Sequence, residues 1–280
     1  MPAAPYRTRH PLTICAAVVG LCLGWQVLAS RALASGDDPA PPEAATPAAP
    51  AEQTPADFLD HLGQRVKARW RLQFRPPPPT PPADRGRAAL ILGSLMADSF
   101  LVWQASDSQQ FRNNNQEVLS YCRMLGLGEK LSPRLMAQGK MAESNEWKEL
   151  RSEIVDDHQE MLRLLREQRD DDLAVMIDLG LWLRLLEIST NLVVENAAEE
   201  VRPLCIGSPA VLQSIRDDFN RISLPRHDET MIKQIGAHLE AISTLWRVPQ
   251  PATPTQEQVS QTQEKLHAIM HAMVEKPQQP

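Results

Sequence analysis

Two stretches of this chain are apolar on nearly every helical face, and a helix of that kind has no side to turn toward water. The first runs from Arg87 to Gln104 and carries Ala89, Gly93 and Ala97 at four-residue spacing. That spacing stacks small residues in one row along the helix, where a neighbouring helix can approach closely. The second runs from Leu173 to Asn196. Both must be buried, and the first is expected at the centre of the fold.

No segment alternates polar and apolar residues at the period of a strand, so the expected class is all-α. Asn145 to Gln168 is amphipathic, with Trp147, Leu150, Ile154, Met161, Leu162 and Leu165 on one face. Gln110 to Leu125 places Phe111, Val118 and Cys122 on one side, and Gly126 and Gly128 supply its stop. Ser132-Pro133 and Ser208-Pro209 read as helix starts, each an N-cap followed by proline in the first turn. Asp170 to Asp172 cap the second apolar helix. Helices near Ala210 to Ile222 and Glu229 to Arg247 complete a body spanning 84–248, an ordinary length for one domain. Trp103, Trp147, Trp182 and Trp246 recur at no fixed interval. A compact bundle is therefore preferred, with a stack of helical hairpins as the alternative.

The flanks read differently. Phe58, Leu62, Val66, Trp70 and Phe74 recur at every fourth position, which predicts a helix over 57–75, and the prolines of 76–83 form a stiff polyproline linker after it. Arg65, Lys67, Arg69, Arg71 and Arg75 border that apolar stripe, suiting a helix that docks on an acidic body; contact with anionic lipid is the alternative. Pro249, Pro251 and Pro254 mark a second linker over 249–256, and 257–276 is expected as a detached or loosely docked helix.

Residues 1–34 carry Arg7 and Arg9, an apolar run from Pro11 to Ala29, and small residues at Ala32 and Ala34, the pattern of a cleaved signal peptide. The expected location is the periplasm or the medium; an uncleaved membrane anchor is the alternative. A disordered Pro/Ala-rich linker over 35–56 follows. Cleavage removes three arginines and no acid, taking the formal charge from −6 to −9, which argues against a nucleic-acid partner. Cys122 and Cys205 would remain, a candidate disulfide in an oxidising compartment or else two buried thiols. The segments RAALILGSLMADSF (Arg87 to Phe100) and DLGLWLRLLEISTNLV (Asp178 to Val193) resemble exported bacterial all-helical proteins to which no activity is attached. The resemblance covers the body and implies export and a helical fold, without assigning a catalytic residue.

Polarity is most expensive on the second apolar helix, where Arg184, Glu187, Asn191 and Glu195 share about a quarter of the circumference and Asp178 points elsewhere. These groups must be paired or reach water: an ion-pair network fixing helix register is expected, and a polar ligand pocket is the alternative. His158 falls on the apolar face of its helix, with Asp98, Asp178 and Glu187 as its candidate partners. The candidate polar set is thus Asp98, His158, Asp178, Arg184, Glu187 and Asn191. His267, His271 and Glu264 resemble half of a metal site but lie on the flank of an apolar face, so no metal is expected. No cofactor signature is present, since a c-type haem requires Cys-x-x-Cys-His and a carboxylate-bridged di-iron bundle two Glu-x-x-His pairs. The expected function is a non-enzymatic adaptor that binds a protein partner through its tethered terminal helices. A ligand-binding bundle or enzyme built on Arg184, Glu187 and His158 is the alternative.

Overall fold

The largest helix-to-helix contact joins α2 (Arg85–Gln104) and α6 (Asp171–Asn196), the two elements whose all-round apolarity demands burial. The computed structural model describes residues 54–76, 78, 80–196, 198–206, 209–222, 229–247 and 253–275, and among these the chain is all helical. The signal segment and nearly all of the Pro/Ala-rich linker lie outside the described residues. Contacts between α2 and α6 run in the same order along both: Arg85 meets Asp170, Gly93 meets Ile177 and Leu181, and Asp98 meets Arg184. The two helices are therefore parallel. A Cβ added to Gly93 would lie 1.9 Å from the Ile177 carbonyl oxygen, and one on Gly180 would lie 2.0 Å from that of Leu90. Backbone touches backbone at this crossing.

Between them the chain reverses four times through α3 (Ser108–Met124), α4 (Gly128–Glu143) and α5 (Trp147–Glu167). Each reversal turns on one residue in the left-handed region: Ser106 (φ 49°), Gly126 (φ 81°), Asn145 (φ 59°) and Arg169 (φ 61°). After each, an N–H reaches back across the helix end, from Asp107 to Val102, Leu127 to Cys122, Glu146 to Met141 and Asp170 to Leu165. This is the Schellman bond, which satisfies carbonyls that a helix end leaves open. Four identical reversals carry the chain up and down and return α6 beside α2. The link at Gly126 also displaces the expected start at Ser132-Pro133. Helix α4 begins at Gly128, directly out of the turn, and Pro133 lies inside it.

The expected helix over 57–75 is two elements. Helix α1 (Pro55–Arg65) is capped by Thr54, whose Oγ1 accepts from the Asp57 N–H at 3.1 Å, and the chain becomes extended at Val66 before a short 3₁₀ turn at Trp70–Gln73. An apolar residue at every fourth position drifts about 40° per step, so five of them sweep about 160°, more than one docked face can bury. Breaking the helix lets Phe58, Leu62 and Val66 enter the core while Trp70 and Phe74 pack beside it.

The C-terminal helix departs from expectation more strongly. Helix α9 (Gln256–Val274) is not detached: it packs on α6 and on α8 (Glu229–Leu245), and Val259, Leu266, Ile269 and Met273 belong to the same core as α2. Its start is fixed by a Thr255/Gln258 capping box. Its end is held by the buried Arg87 of α2, which donates to the carbonyls of Ala272 (3.0 Å), Met273 (3.3 Å) and Glu275. A cation on those carbonyls also complements the helix dipole. A 3₁₀ segment (Glu199–Ile206) against α6 and a short α7 (Pro209–Phe219) complete the fold.

The candidate disulfide is not formed. Cys122 lies on α3, which packs on α2 and α4, whereas Cys205 lies on the 3₁₀ segment, which packs on α6 and α9, and both are buried free thiols. Burial raises both thiols above their ordinary value, Cys205 to about 12, so neither offers a thiolate at neutral pH.

Asp157 of α5 is fully buried beneath α4, where Gln138 Nε2 donates to it at 2.7 Å and Arg134 pairs with it. Burial pushes its carboxyl up to about 6, and the Arg134 guanidinium offsets only part of the shift. The native carboxyl then keeps its proton between about pH 4 and pH 6, where the unfolded chain has released its own. Stability should therefore fall as pH rises through that window, by roughly 2–3 kcal/mol in total. Asp157→Asn should flatten this slope. Denaturant titrations of both proteins at the two ends of the window check it, and parallel curves would show the carboxylate to be fully compensated.

Candidate functional site

The polar stripe of α6 is neutralised from two sides. Arg184, 1% exposed, donates through Nε to Asp98 Oδ1 (2.8 Å), through Nη1 to Glu187 Oε2 (2.7 Å) and through Nη2 to the Gln73 carbonyl (2.5 Å). Every nitrogen of the guanidinium is thus engaged. A second cation completes the set: Arg75 Nη2 reaches Asp98 Oδ2 (3.1 Å) and Ser94 Oγ (3.2 Å), and its Nη1 lies 3.6 Å from Glu187 Oε2. Burial opposes ionisation of Asp98, but Arg184 and Arg75 together overcome it and hold the carboxyl below its ordinary value. Burial likewise works against the Arg184 cation, and Asp98 and Glu187 reverse the effect. Two guanidiniums and two carboxylates therefore form a largely buried, internally balanced quartet.

The rest of the stripe clamps the flanking segments. Gln73 receives a hydrogen bond from Asn191 Nδ2 (3.1 Å) and gives one to Glu195 Oε1 (3.0 Å), seating the 3₁₀ turn on α6. From the other side, Gln263 Nε2 (2.8 Å) and His267 Nε2 (3.1 Å) of α9 converge on Asn191 Oδ1. Of the basic residues before α2, Arg69 pairs with Glu195 and Arg71 with Asp107.

Asp98, Arg184, Glu187 and Asn191 are thus brought together, while His158 and Asp178 are not part of that group. His158 is buried on α5, its Nε2 3.4 Å from Asp178 Oδ1 but without hydrogen-bond alignment. Asp98 and Glu187 are spoken for by the arginines. Of the α9 histidines, His267 stands 3.7 Å from Glu187 and His271 lies 3.2 Å from Glu275. Among the described residues no group of three or more histidine, cysteine or acidic side chains is placed to hold a metal ion.

Three members of the quartet, Arg75, Asp98 and Glu187, form one end of a half-open cavity of about 970 Å³. Its floor is the face of α2 that carries the buried aliphatic residues Ile91, Leu95, Leu101 and Val102. One wall is α3, which contributes Gln110, Asn113, Asn114 and Glu117. The facing wall is α9, with His267, Met270, His271 and Val274. Phe74, Arg75, Pro76 and Pro78, from the segment before α2, complete the lining. Sequence reasoning missed Arg75 as a member of the quartet and the α3 amides as a wall, because both sit in segments whose polarity suits a solvent face. No known protein family, characterised protein or solved structure matches the chain.

Proposed function

We propose that this chain is an exported ligand-binding helical protein whose binding site is the groove between α2, α3 and α9. The observation that carries this reading is the cavity itself: about 970 Å³, at the large end of the usual range for ligand pockets, with an aliphatic floor and polar walls. The neutralised quartet gives the groove a fixed end, because each of its side chains is held by at least two others. At that end both carboxylates are already engaged by guanidiniums, so neither stands free as a general base. This favours binding over catalysis. The adaptor reading drew on terminal helices standing free of the body, and with α1 and α9 in the common core that ground is gone. Export rests on the charged and apolar run before Ser35, and N-terminal sequencing of the exported protein tests it.

Asn113 is exposed on the groove's rim, so Asn113→Trp should fill the groove without disturbing the core. Calorimetric titration with 1-anilinonaphthalene-8-sulfonate should show a saturable site in the parent, weakened at least tenfold in the variant. Equal binding by both would place the apolar site elsewhere and remove the basis of this reading.

A further inference from the structure

The α3 wall is not what an acyl chain requires. Gln110, Asn113, Asn114 and Glu117 recur at spacings of three, one and three, so they share one helical face, and that face lines the groove. Gln110 and Glu117 make no side-chain hydrogen bond or ion pair with another described residue. Asn114 spends its Nδ2 on Leu95 O (3.0 Å) and Ser99 Oγ (2.8 Å), which leaves Oδ1 as an acceptor. Asn113 spends its Oδ1 on Gln109 Nε2 (3.0 Å), which leaves Nδ2 as a donor. The wall therefore offers free donors and acceptors side by side. A ligand that covered them with hydrocarbon would strand each one without a partner.

Resting on the groove reading above, we infer that the groove takes an extended peptide. A peptide is the ligand that presents alternating N–H and C=O along its length, matching the amide row, and alternating side chains to the opposite face, matching the aliphatic floor. A glycan would meet the amides equally well, but sugar rings stack on aromatic faces and the α2 floor has none; Phe74 is the one Phe, Tyr or Trp in the lining. From Gln110 to Glu117 the row spans about 10 Å at 1.5 Å per residue, the length of about three extended residues. Charge sets one more feature. The quartet cancels internally, so the uncompensated charge on the α3 wall is Glu117, and the peptide carries a lysine or arginine at that end.

The test uses randomised, terminally capped hexapeptides captured on immobilised full-length chain and read by mass spectrometry, with the Asn113→Trp chain as control. Enrichment of at least tenfold over the control is expected, with aliphatic residues at alternate positions and a basic residue at one end. Glu117→Gln should erase the basic preference and keep the aliphatic one. A matched library N-methylated at alternate backbone amides should not enrich. Equal capture of the N-methylated library, or oleate binding in the absence of hexapeptide capture, overturns the inference. If anilinonaphthalenesulfonate still distinguishes parent from Asn113→Trp while no hexapeptide enriches, the groove stands and the peptide falls. If neither probe distinguishes them, both fall.

Discussion

Gly93→Ala is expected to lower stability by about 3 kcal/mol, and Gly180→Ala by a similar amount, as overpacking against an unyielding neighbour does. Two effects compete at each position. Alanine is the better helix former by about 1 kcal/mol, so propensity alone would make both substitutions stabilising. Against that, the new methyl groups would lie 1.9 and 2.0 Å from carbonyl oxygens of the opposing helix, and backbone cannot swing aside as a flexible side chain can. The helices must separate, and every aliphatic contact along α2 and α6 loosens with them. The double variant supplies the sharper measurement. One separation accommodates both methyl groups, so its loss should fall short of the two single losses combined. Denaturant titration of the three variants reads this directly. A gain near the propensity value in either single variant would mean that the backbones do not touch.

The second large effect is at Arg184. Arg184→Met keeps much of the side-chain volume but leaves Asp98 and Glu187 with one guanidinium between them and the Gln73 carbonyl without its donor. Breaking a buried ion pair from one side costs roughly 3–5 kcal/mol. The partly exposed Arg75 cannot replace the lost cation, because it already serves both carboxylates from the groove side. If the loss comes from a stranded charge rather than from lost packing, removing that charge should restore part of it. Arg184→Met combined with Glu187→Gln should therefore be more stable than Arg184→Met alone. A midpoint unchanged by Arg184→Met would show the cluster to be solvated, with exposed ion pairs that contribute about 1 kcal/mol or less.

What the residues disclosed, and what they concealed, follows from the range over which each signal acts. The burial of α2 and α6 was legible because apolarity on every face has one physical solution, and Arg184, Glu187 and Asn191 stood out because such a helix tolerates polarity only when it is paired. Gly93 was legible as one of a row, whereas Gly180 stands alone in its helix and became visible only opposite Leu90. The reversals at Ser106, Asn145 and Arg169 carry no glycine, so the commonest local signal of a helix stop is missing there. Arg75 and Gln73 are distant in sequence from Arg184, and no local period connects them. Prolines before α9 advertised a free helix, yet a linker fixes only how a helix is joined to the chain. Whether it docks depends on the surface waiting for it, here the underside of α6 and the guanidinium of Arg87.

The parallel pairing of α2 with α6 also bears on how the chain comes into being. During synthesis α2 emerges early, and its partner arrives only after α3, α4 and α5 have been made. The hairpins between them close over short loops and form quickly, but the central pairing joins distant parts of the chain and must await the last of them. Among the described residues α2 is also the helix long and apolar enough to cross a lipid bilayer. For that interval the apolar faces that α2 will bury against α6 have no partner within the chain, and the arrival of α6 is what withdraws them from water and from other exposed apolar surfaces.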